Sequence, residues 1–367
     1  MIHPFFGVLG GAERVAFHTV KSLAEGHDVT LLSDRFDEKE VSNRFGSPLP
    51  FCQIVSGDIW DFKPFFPKLM AYQMLAHQAS RDRRIRQMVP VDTFDAIVST
   101  NLPQYIPRTR KPTLQYCHFP FDPYHVPLSN SLIRRTYFAL PHRSSHRRIE
   151  AVTTFIANSN FTRQAIFDRW GRSSLTIYPP CDLFYSRPGV KQDLVITVGR
   201  MSPEKRFEVM FEIARKMQWI TFEIIATSDA KQIASSARYY NQLLADKPEN
   251  VEVKMNVSRS VLRDEFARAK IYLHLRENEY FGISIVEAMS SGCIPVVHKS
   301  GGPLEIVTSE FGYFWETADQ AAAQIAEVLS NEDLRKVRSK AAEERAKYFD
   351  ARLFEERISR VVTDLSG

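Results

Sequence analysis

The stretch Glu277-Asn278-Glu279-Tyr280-Phe281-Gly282-Ile283-Ser284-Ile285-Val286-Glu287 carries two carboxylates, Glu279 and Glu287, with seven residues and a glycine turn between them. Paired carboxylates suggest first a general acid and base working together. The residues around them argue for another task. The apolar run Ile271-Tyr272-Leu273-His274-Leu275 ends just upstream, Gly282 supplies a turn, and Ile283 or Ser284 opens a helix whose Ile285, Ala288 and Met289 face inward. Backbone N–H groups at a helix start, aided by the helix dipole, attract an anion. Glu287, expected in the first turn of that helix, and Glu279, expected on the loop before it, would repel a phosphate. Both suit hydrogen bonds from hydroxyls. A sugar joined to a nucleoside through a diphosphate satisfies all three features. The plainer explanation, a dipole-complementing Glu287 and a solvated Glu279, accounts for each residue singly but not for their company.

That company comes from three other places. In Val198-Gly199-Arg200-Met201-Ser202-Pro203-Glu204-Lys205-Arg206, a strand ends and Arg200 and Lys205 project from the following loop. Arginine grips a diphosphate in a fork and lysine as a point charge, whereas cations at a helix start are otherwise unfavourable. In Gly7-Val8-Leu9-Gly10-Gly11-Ala12-Glu13, the pair Gly10 and Gly11 lets backbone approach a ligand closely, or simply makes a tight strand-to-helix turn. The dinucleotide pattern G-x-G-x-x-G is absent there, which weakens a nicotinamide reading. His118, in Gln115-Tyr116-Cys117-His118-Phe119-Pro120, ends another strand, where it could hydrogen-bond a sugar hydroxyl or exchange a proton near neutral pH. Cys117 beside it has no partner at metal-ligand spacing.

The elements that position these residues alternate in two series. The first has strands at Val29-Thr30-Leu31-Leu32, Ala96-Ile97-Val98-Ser99, Thr113-Leu114-Gln115-Tyr116 and Phe155-Ile156-Ala157-Asn158-Ser159, with a helix from Gly11 to Leu23. Only Met1 to Phe6 precede the glycine loop, so its opening strand is short. An irregular stretch through Arg187-Pro188-Gly189-Val190 then separates the series. The second has strands at Leu194–Gly199, Thr221–Ala226, Val251–Val253, Ile271–His274 and Ile294–Val297, with helices such as Lys205 to Met217 and Ser260 to Ala269. Strands separated by helices imply parallel sheets, whose ligands bind beyond the carboxyl ends of the strands. The expected fold class is α/β, with two Rossmann-like doubly wound domains facing a central cleft. Residues 1–180 form the first, 181–348 the second, and 349–367 a last helix crossing back to the first.

Size and composition agree. At 367 residues, 44% hydrophobic and 25% charged, the chain is a two-domain globular protein rather than a disordered, collagenous or coiled-coil one. Cys52, Cys117, Cys181 and Cys293 are too scattered for a zinc site or a disulfide framework, so they read as reduced thiols and the location as cytoplasmic. Neither a signal peptide nor an apolar run of membrane-spanning length is visible. Residues 61–170 hold 16 Lys and Arg against 7 Asp and Glu, an excess of +9 within a net charge of +5. Part of it is the aromatic-laced stretch from Ser131 to Arg148, which suits an anionic membrane surface or a plain solvated face. Nucleic acid is not expected as a partner, because no zinc-finger, RRM or related signature accompanies the basic charge.

Gly10-Gly11-Ala12-Glu13-Arg14, Gly199-Arg200 with Lys205, Glu279 and Glu287 around Phe281-Gly282, Asn158-Ser159, Tyr178-Pro179-Pro180 and Ser300-Gly301-Gly302-Pro303-Leu304-Glu305 together resemble family 4 of the retaining glycosyltransferases. The wording of NEYFGISIVEAM, HKSGGPLEIV and HPFFGVLGGAERV is similar to the GDP-mannose-dependent mannosyltransferases that extend lipid-linked glycans. The resemblance implies the GT-B arrangement and a nucleotide-sugar donor held mainly by the C-terminal domain. It implies a glycan or polyprenyl-linked acceptor, no metal or other cofactor, and peripheral association with the cytoplasmic face of a membrane. It also implies roles: Arg200 and Lys205 on the diphosphate, Glu287 on the ribose, Glu279 on sugar hydroxyls, and the N–H groups of Gly282, Ile283 and Ser284 on phosphate and sugar. His118 would stand near the reacting carbon, with Gly10 and Gly11 bordering acceptor and diphosphate. Many members have a glycine-rich end to the second strand of the C-terminal half, where this chain has Ala226-Thr227-Ser228-Asp229, which leaves the nucleobase open. A nucleotide-sugar epimerase of the same fold, or a transferase using a UDP-sugar and a soluble acceptor, stays as the alternative.

Overall fold

The computed structural model describes residues 1–8, 10–61, 65–66, 69–121, 132–185, 191–228 and 233–366. Leu9 of the glycine loop, Ser131 at the head of the basic stretch, Arg187-Pro188-Gly189-Val190 and Asp229 lie outside the described residues. The chain divides into two compact units, one made of Met1–Tyr178 with Phe354–Gly367 and the other of Pro179–Leu353.

In the first unit β1 (Thr30–Ser33) pairs in parallel with β2 (Gln53–Ser56). The strands β3 (Ile97–Ser99), β4 (Thr113–Cys117), β5 (Thr154–Ala157) and β6 (Leu175–Thr176) form a parallel sheet in that order. The expected opening strand is reduced to Ile2, which bridges Leu32 and Ser99 and so joins the two sets of strands. Its N–H donates to the Val98 carbonyl at 2.7 Å, and the His3 N–H to the Leu32 carbonyl at 3.0 Å. The helices between them are α1 (Gly11–Leu23), α2 (Glu38–Phe45), α3 (Met70–Met88), α4 (Leu132–Glu150) and α5 (Asn160–Trp170). The run ending at Ser159 stops being a strand at Ala157, because the Ser159 hydroxyl accepts the Thr162 N–H at 3.0 Å and caps α5. The basic stretch after Ser131 is helical, and α4 lies alongside α3 in the same direction. Tyr137 meets Tyr72 with ring centroids 5.2 Å apart, and Arg148 bonds Asp82 at 2.7 Å.

In the second unit six parallel strands follow the order β12-β11-β10-β7-β8-β9. They are β7 (Gln192–Arg200), β8 (Thr221–Thr227), β9 (Val251–Met255), β10 (Ala269–His274), β11 (Ile294–His298) and β12 (Tyr313–Trp315). Around them run α6 (Phe207–Lys216), α7 (Ile233–Ala245), α8 (Arg259–Arg268), α9 (Ile283–Ser290), α10 (Pro303–Ile306), α11 (Ala318–Ser330) and α12 (Glu332–Ala346). The central strands are buried on both faces, which is why they read as unbroken apolar runs: Val195, Phe222, Ile224, Ile271, Leu273, Ile294 and Val296 form one core with α6 and α11. The single helix expected from Lys205 to Met217 is two elements. Pro203 opens a short 3-10 turn to Lys205, and Arg206 at φ +55° breaks it from α6.

The last helix, α13 (Ala351–Ser366), leaves the second unit after Leu353. Its Phe354, Ile358 and Val362 are buried with Val15, Leu114, Tyr116 and Ile156 in the first unit's core.

Candidate functional site

In the second unit β10 runs beside β7, with Ile271 opposite Val195 and Tyr272 opposite Ile196. The loops that follow these two strands therefore leave the same edge of the sheet, the edge where such folds bind ligands. One loop carries Arg200 and Lys205, the other Glu279 and Gly282. Across a separation of 74 residues, Lys205 Nζ donates to Glu279 Oε2 at 2.7 Å, with both side chains largely buried. Gly199 makes room for this reach, since a Cβ there would stand 3.2 Å from the lysine stem. Arg276 Nη1 donates to Glu279 Oε1 at 3.1 Å, and the Tyr280 N–H to the same oxygen at 3.0 Å. Burial alone would raise the pKa of this carboxyl; the charges of Lys205 and Arg276 outweigh it and bring it down to about 2. His274, buried 3.7 Å away, is pushed by that burial to about 3 and stays neutral. Glu279 is thus a permanent, buried, hydrogen-bonded carboxylate.

The loop that presents it is clamped from below. The Gly302 N–H donates to the Glu279 carbonyl at 2.8 Å, and the Asn278 N–H to the Ser300 hydroxyl at 2.7 Å. A Cβ at Gly301, which sits at φ +70°, would fall 2.4 Å from the Glu279 carbonyl oxygen, and one at Gly302 would fall 2.4 Å from that of Tyr280. Only glycine lets these two backbones touch. Past this clamp, Gly282 at φ +110° opens α9, and among the described residues no side chain caps its start. Ile283 is the first helical residue, and the Ser284 hydroxyl shares a 2.7 Å hydrogen bond with the Tyr272 phenol from β10. The result is a helix start beside the Lys205–Glu279 pair that no described side chain caps, a geometry that suits an anion.

Two expectations need correction. Glu287 lies in the second turn of α9, not the first, because the helix opens at Ile283. It is buried and bonded to Arg259 Nη2 at 3.0 Å; Arg259 also bonds Asp182 and lies 4.7 Å over the Phe184 ring. The dipole explanation therefore does not apply to Glu287, whose position is set by an ion pair from the start of α8. Arg200 and Lys205 also differ from each other: Arg200 ends β7 at the surface and bonds Glu204 at 3.0 Å, while Lys205 is committed to Glu279.

In the first unit Gly10 and His118 belong to one hydrogen-bond chain. The Gly10 N–H donates to Glu13 Oε2 at 2.7 Å, and Glu13 Oε1 receives His3 Nε2 at 3.4 Å. His3 Nδ1 meets the Thr100 hydroxyl at 2.8 Å, and the Thr100 carbonyl accepts from His118 Nε2 at 3.1 Å. Gly11 begins α1 immediately after Gly10. Burial, and next the neighbouring His3, push His118 down to about 4, so its ring is neutral at physiological pH and its Nδ1 is the acceptor nitrogen. Proton exchange near neutrality, one of the two jobs open to it from the sequence, is thereby disfavoured against hydrogen bonding. His3, Thr100 and Glu13 were not singled out from the sequence. The acid three residues after Gly10 is a helix-start signal that could have pointed to Glu13.

Among the described residues no group of three or more His, Cys, Asp or Glu is arranged to hold a metal ion, and no helix is long and apolar enough to cross a membrane. Cys52, Cys117, Cys181 and Cys293 form no disulfide, and the last three are buried.

Residues 9–183 match the family model described as Glycosyltransferase Family 4, and residues 185–345 match Glycosyl transferases group 1. Among curated relatives, the GDP-Man:Man(3)GlcNAc(2)-PP-Dol alpha-1,2-mannosyltransferase of Xenopus laevis is 30% identical over 198 residues, 48% of this chain and 41% of that protein. The mouse enzyme of the same name is 27% identical over 201 residues with the same coverage, so the match spans about two fifths of these relatives' length. The Candida glabrata enzyme is 21% identical over 355 residues, 82% of this chain and 69% of its own. Among solved structures, Anabaena HepE in complex with UDP and glucose shares 19% identity at a TM-score of 0.72, covering 99% of this chain and 98% of that one. Sucrose-phosphate synthase from Thermosynechococcus elongatus shares 15% with the same TM-score and coverage. Two α/β units with parallel sheets, ligand loops on one sheet edge and family matches covering both halves make this chain a member of glycosyltransferase family 4, with the GT-B fold.

Proposed function

We propose that the protein is a retaining, metal-independent hexosyltransferase that moves a mannosyl group from GDP-mannose to a lipid-linked glycan, working as a peripheral protein at the cytoplasmic face of a membrane. The observation that carries this reading is the buried Lys205–Glu279 pair beside the uncapped start of α9. Such a site offers cationic charge and N–H groups to a diphosphate, and a fixed carboxylate to the sugar attached to it. GDP-mannose and a PP-Dol-linked glycan are the donor and acceptor named for the relatives above, which supports this pair.

In the proposed reaction the bond from the sugar's anomeric carbon to the diphosphate oxygen breaks. The acceptor hydroxyl bonds to the same face, and its proton passes to the departing diphosphate. Lys205, Arg200 and the N–H groups of Gly282, Ile283 and Ser284 stabilise the charge that develops on the leaving group. Glu279, ionised down to about pH 2, accepts hydrogen bonds from sugar hydroxyls and has no proton to give. Glu287, held by Arg259, takes the ribose hydroxyls. In the first unit, neutral His118 offers a hydrogen bond to a sugar hydroxyl, and Gly10 and Gly11 let backbone approach a ligand closely.

The test is thermal shift with GDP-, UDP- and ADP-sugars, followed by transfer of labelled sugar into a lipid extract. GDP-mannose at a hundredfold its dissociation constant should stabilise the fold by about 3 kcal/mol and label the lipid phase. An Arg200→Ala, Lys205→Ala protein should lose orders of magnitude in turnover. A response to UDP-sugars alone overturns the donor, and label remaining on the nucleotide as a changed sugar turns the reading into the epimerase.

A further inference from the structure

At the start of α3 the first unit exposes five large apolar side chains within eight positions: Phe65 at 89%, Phe66 at 65%, Leu69 at 52%, Met70 at 46% and Tyr72 at 38%. Apolar side chains exposed singly are ordinary, but a group of this kind marks a contact surface. It is held in place. Gln73 Oε1 accepts the N–H groups of Phe65 and Phe66 at 2.8 and 3.3 Å, and Gln73 Nε2 donates to the Phe66 carbonyl at 2.6 Å. The Leu69 N–H donates to the same carbonyl at 2.9 Å, so the phenylalanine pair is fastened to the first turn of the helix. Alongside, the Ala71 N–H donates to the Tyr137 hydroxyl at 3.3 Å, which ties α4 to the same end.

The two helices behind this tip are cationic. Together α3 and α4 carry nine arginines against only Asp82 and Glu150. Arg148 neutralises Asp82, Arg81 lies buried 4.9 Å over the Tyr105 ring and Arg86 bonds Asp92 at 3.0 Å, but Arg83, Arg84, Arg143 and Arg147 are exposed. We infer that Phe65, Phe66, Leu69, Met70 and Tyr72 insert into an anionic lipid surface, with Arg83, Arg84, Arg143 and Arg147 meeting its headgroups. Aromatic and aliphatic side chains at the headgroup boundary, flanked by cations that reach phosphate, are what such surfaces retain. A second copy of this chain fits poorly, because it would bring the same cations face to face. The inference rests for its purpose on the lipid-linked acceptor proposed above, while its structural basis lies wholly within the first unit.

Co-sedimentation of the full chain with vesicles of phosphatidylcholine, alone or with phosphatidylglycerol, tests it. The parent protein should bind the anionic vesicles and release with added salt. A Phe65→Ser, Phe66→Ser, Leu69→Ser protein should bind about a hundredfold more weakly with an unchanged thermal melt, since the three side chains support no core. In a second variant, Phe66→Trp, added emission should be quenched by brominated lipid. Equal binding by the triple variant, no quenching, or a parent dimer that the triple variant abolishes each overturns the docking surface. Transfer to a short-chain, water-soluble acceptor separates this inference from the enzymatic reading. The triple variant should keep that transfer; a parent that binds vesicles yet transfers to no acceptor overturns the enzymatic reading and leaves the docking surface standing.

Discussion

Replacing Lys205 by methionine keeps the length of the side chain and removes its charge. The Glu279 carboxyl, brought from an ordinary 4.5 down to about 2, is the group that responds. At about 1.4 kcal/mol for each tenfold change in the proton equilibrium, that depression is worth roughly 3 kcal/mol, and removing one partner of a buried pair typically costs about 3–5 kcal/mol. Arg276 remains at 3.1 Å and sets the loss at the lower end. We therefore expect Lys205→Met to destabilise the second unit by about 3 kcal/mol at pH 7. The pH dependence carries the sign. A carboxyl with a depressed folded pKa stabilises fully above its unfolded value, and that stabilisation disappears as pH falls from about 4.5 towards 2. Parent and variant should therefore converge in acid. Urea titrations followed by Trp219 and Trp315, both in the second unit, read the effect. A Lys205→Met, Glu279→Gln protein, with neither charge to bury, should regain much of the stability but none of the turnover. A loss below about 1 kcal/mol at pH 7, or an equal loss at pH 7 and pH 3, would refute the argument that this pair is buried and mutually charged.

Gly301→Ala should cost about 2 kcal/mol or more, from a left-handed φ of +70° and a Cβ set 2.4 Å from the Glu279 carbonyl oxygen. Its donor-induced thermal shift should shrink as well, although Gly301 itself is given no ligand contact. Because His118 titrates at about 4, turnover should show no inflection from it between about pH 5.5 and 8. His118→Gln, which keeps a hydrogen-bonding side chain, should retain more activity than His118→Ala at every pH in that window.

The alternation of strands and helices was legible because parallel strands buried on both faces are short apolar runs, as in Leu194–Gly199 and Ile271–His274. What escaped is polar or brief. Strand β2, Gln53–Ser56, is half-exposed, and β12, Tyr313–Trp315, has three residues. The helices α3 and α4 are so rich in arginine that the sequence showed a basic region where the chain makes a packed pair. The site divides similarly. Glycines and charges at strand ends, Gly282, Lys205 and Glu279 among them, announce themselves locally. Their partners do not: Lys205 meets Glu279 only because β7 and β10 are neighbours in the sheet, and Arg259 meets Glu287 only because α8 starts where it does. Pairing over such distances is a property of topology, which local pattern does not encode.

The membership of Phe354, Ile358 and Val362 in the first unit's core has a consequence for synthesis on the ribosome. Domains usually finish folding in the order in which they emerge, the N-terminal one first. Here the first unit cannot finish before the last helix is made. Pro179–Leu353 is fully translated while the first unit still lacks one wall of its core, since the Met1–Tyr178 strands wait for Phe354 onward. During that interval Val15, Leu114, Tyr116 and Ile156 lack the aromatic and aliphatic side chains that cover them in the finished protein. A chain cut short before residue 354 would leave the first unit's core open on that side, a natural substrate for chaperones that recognise bare apolar surface.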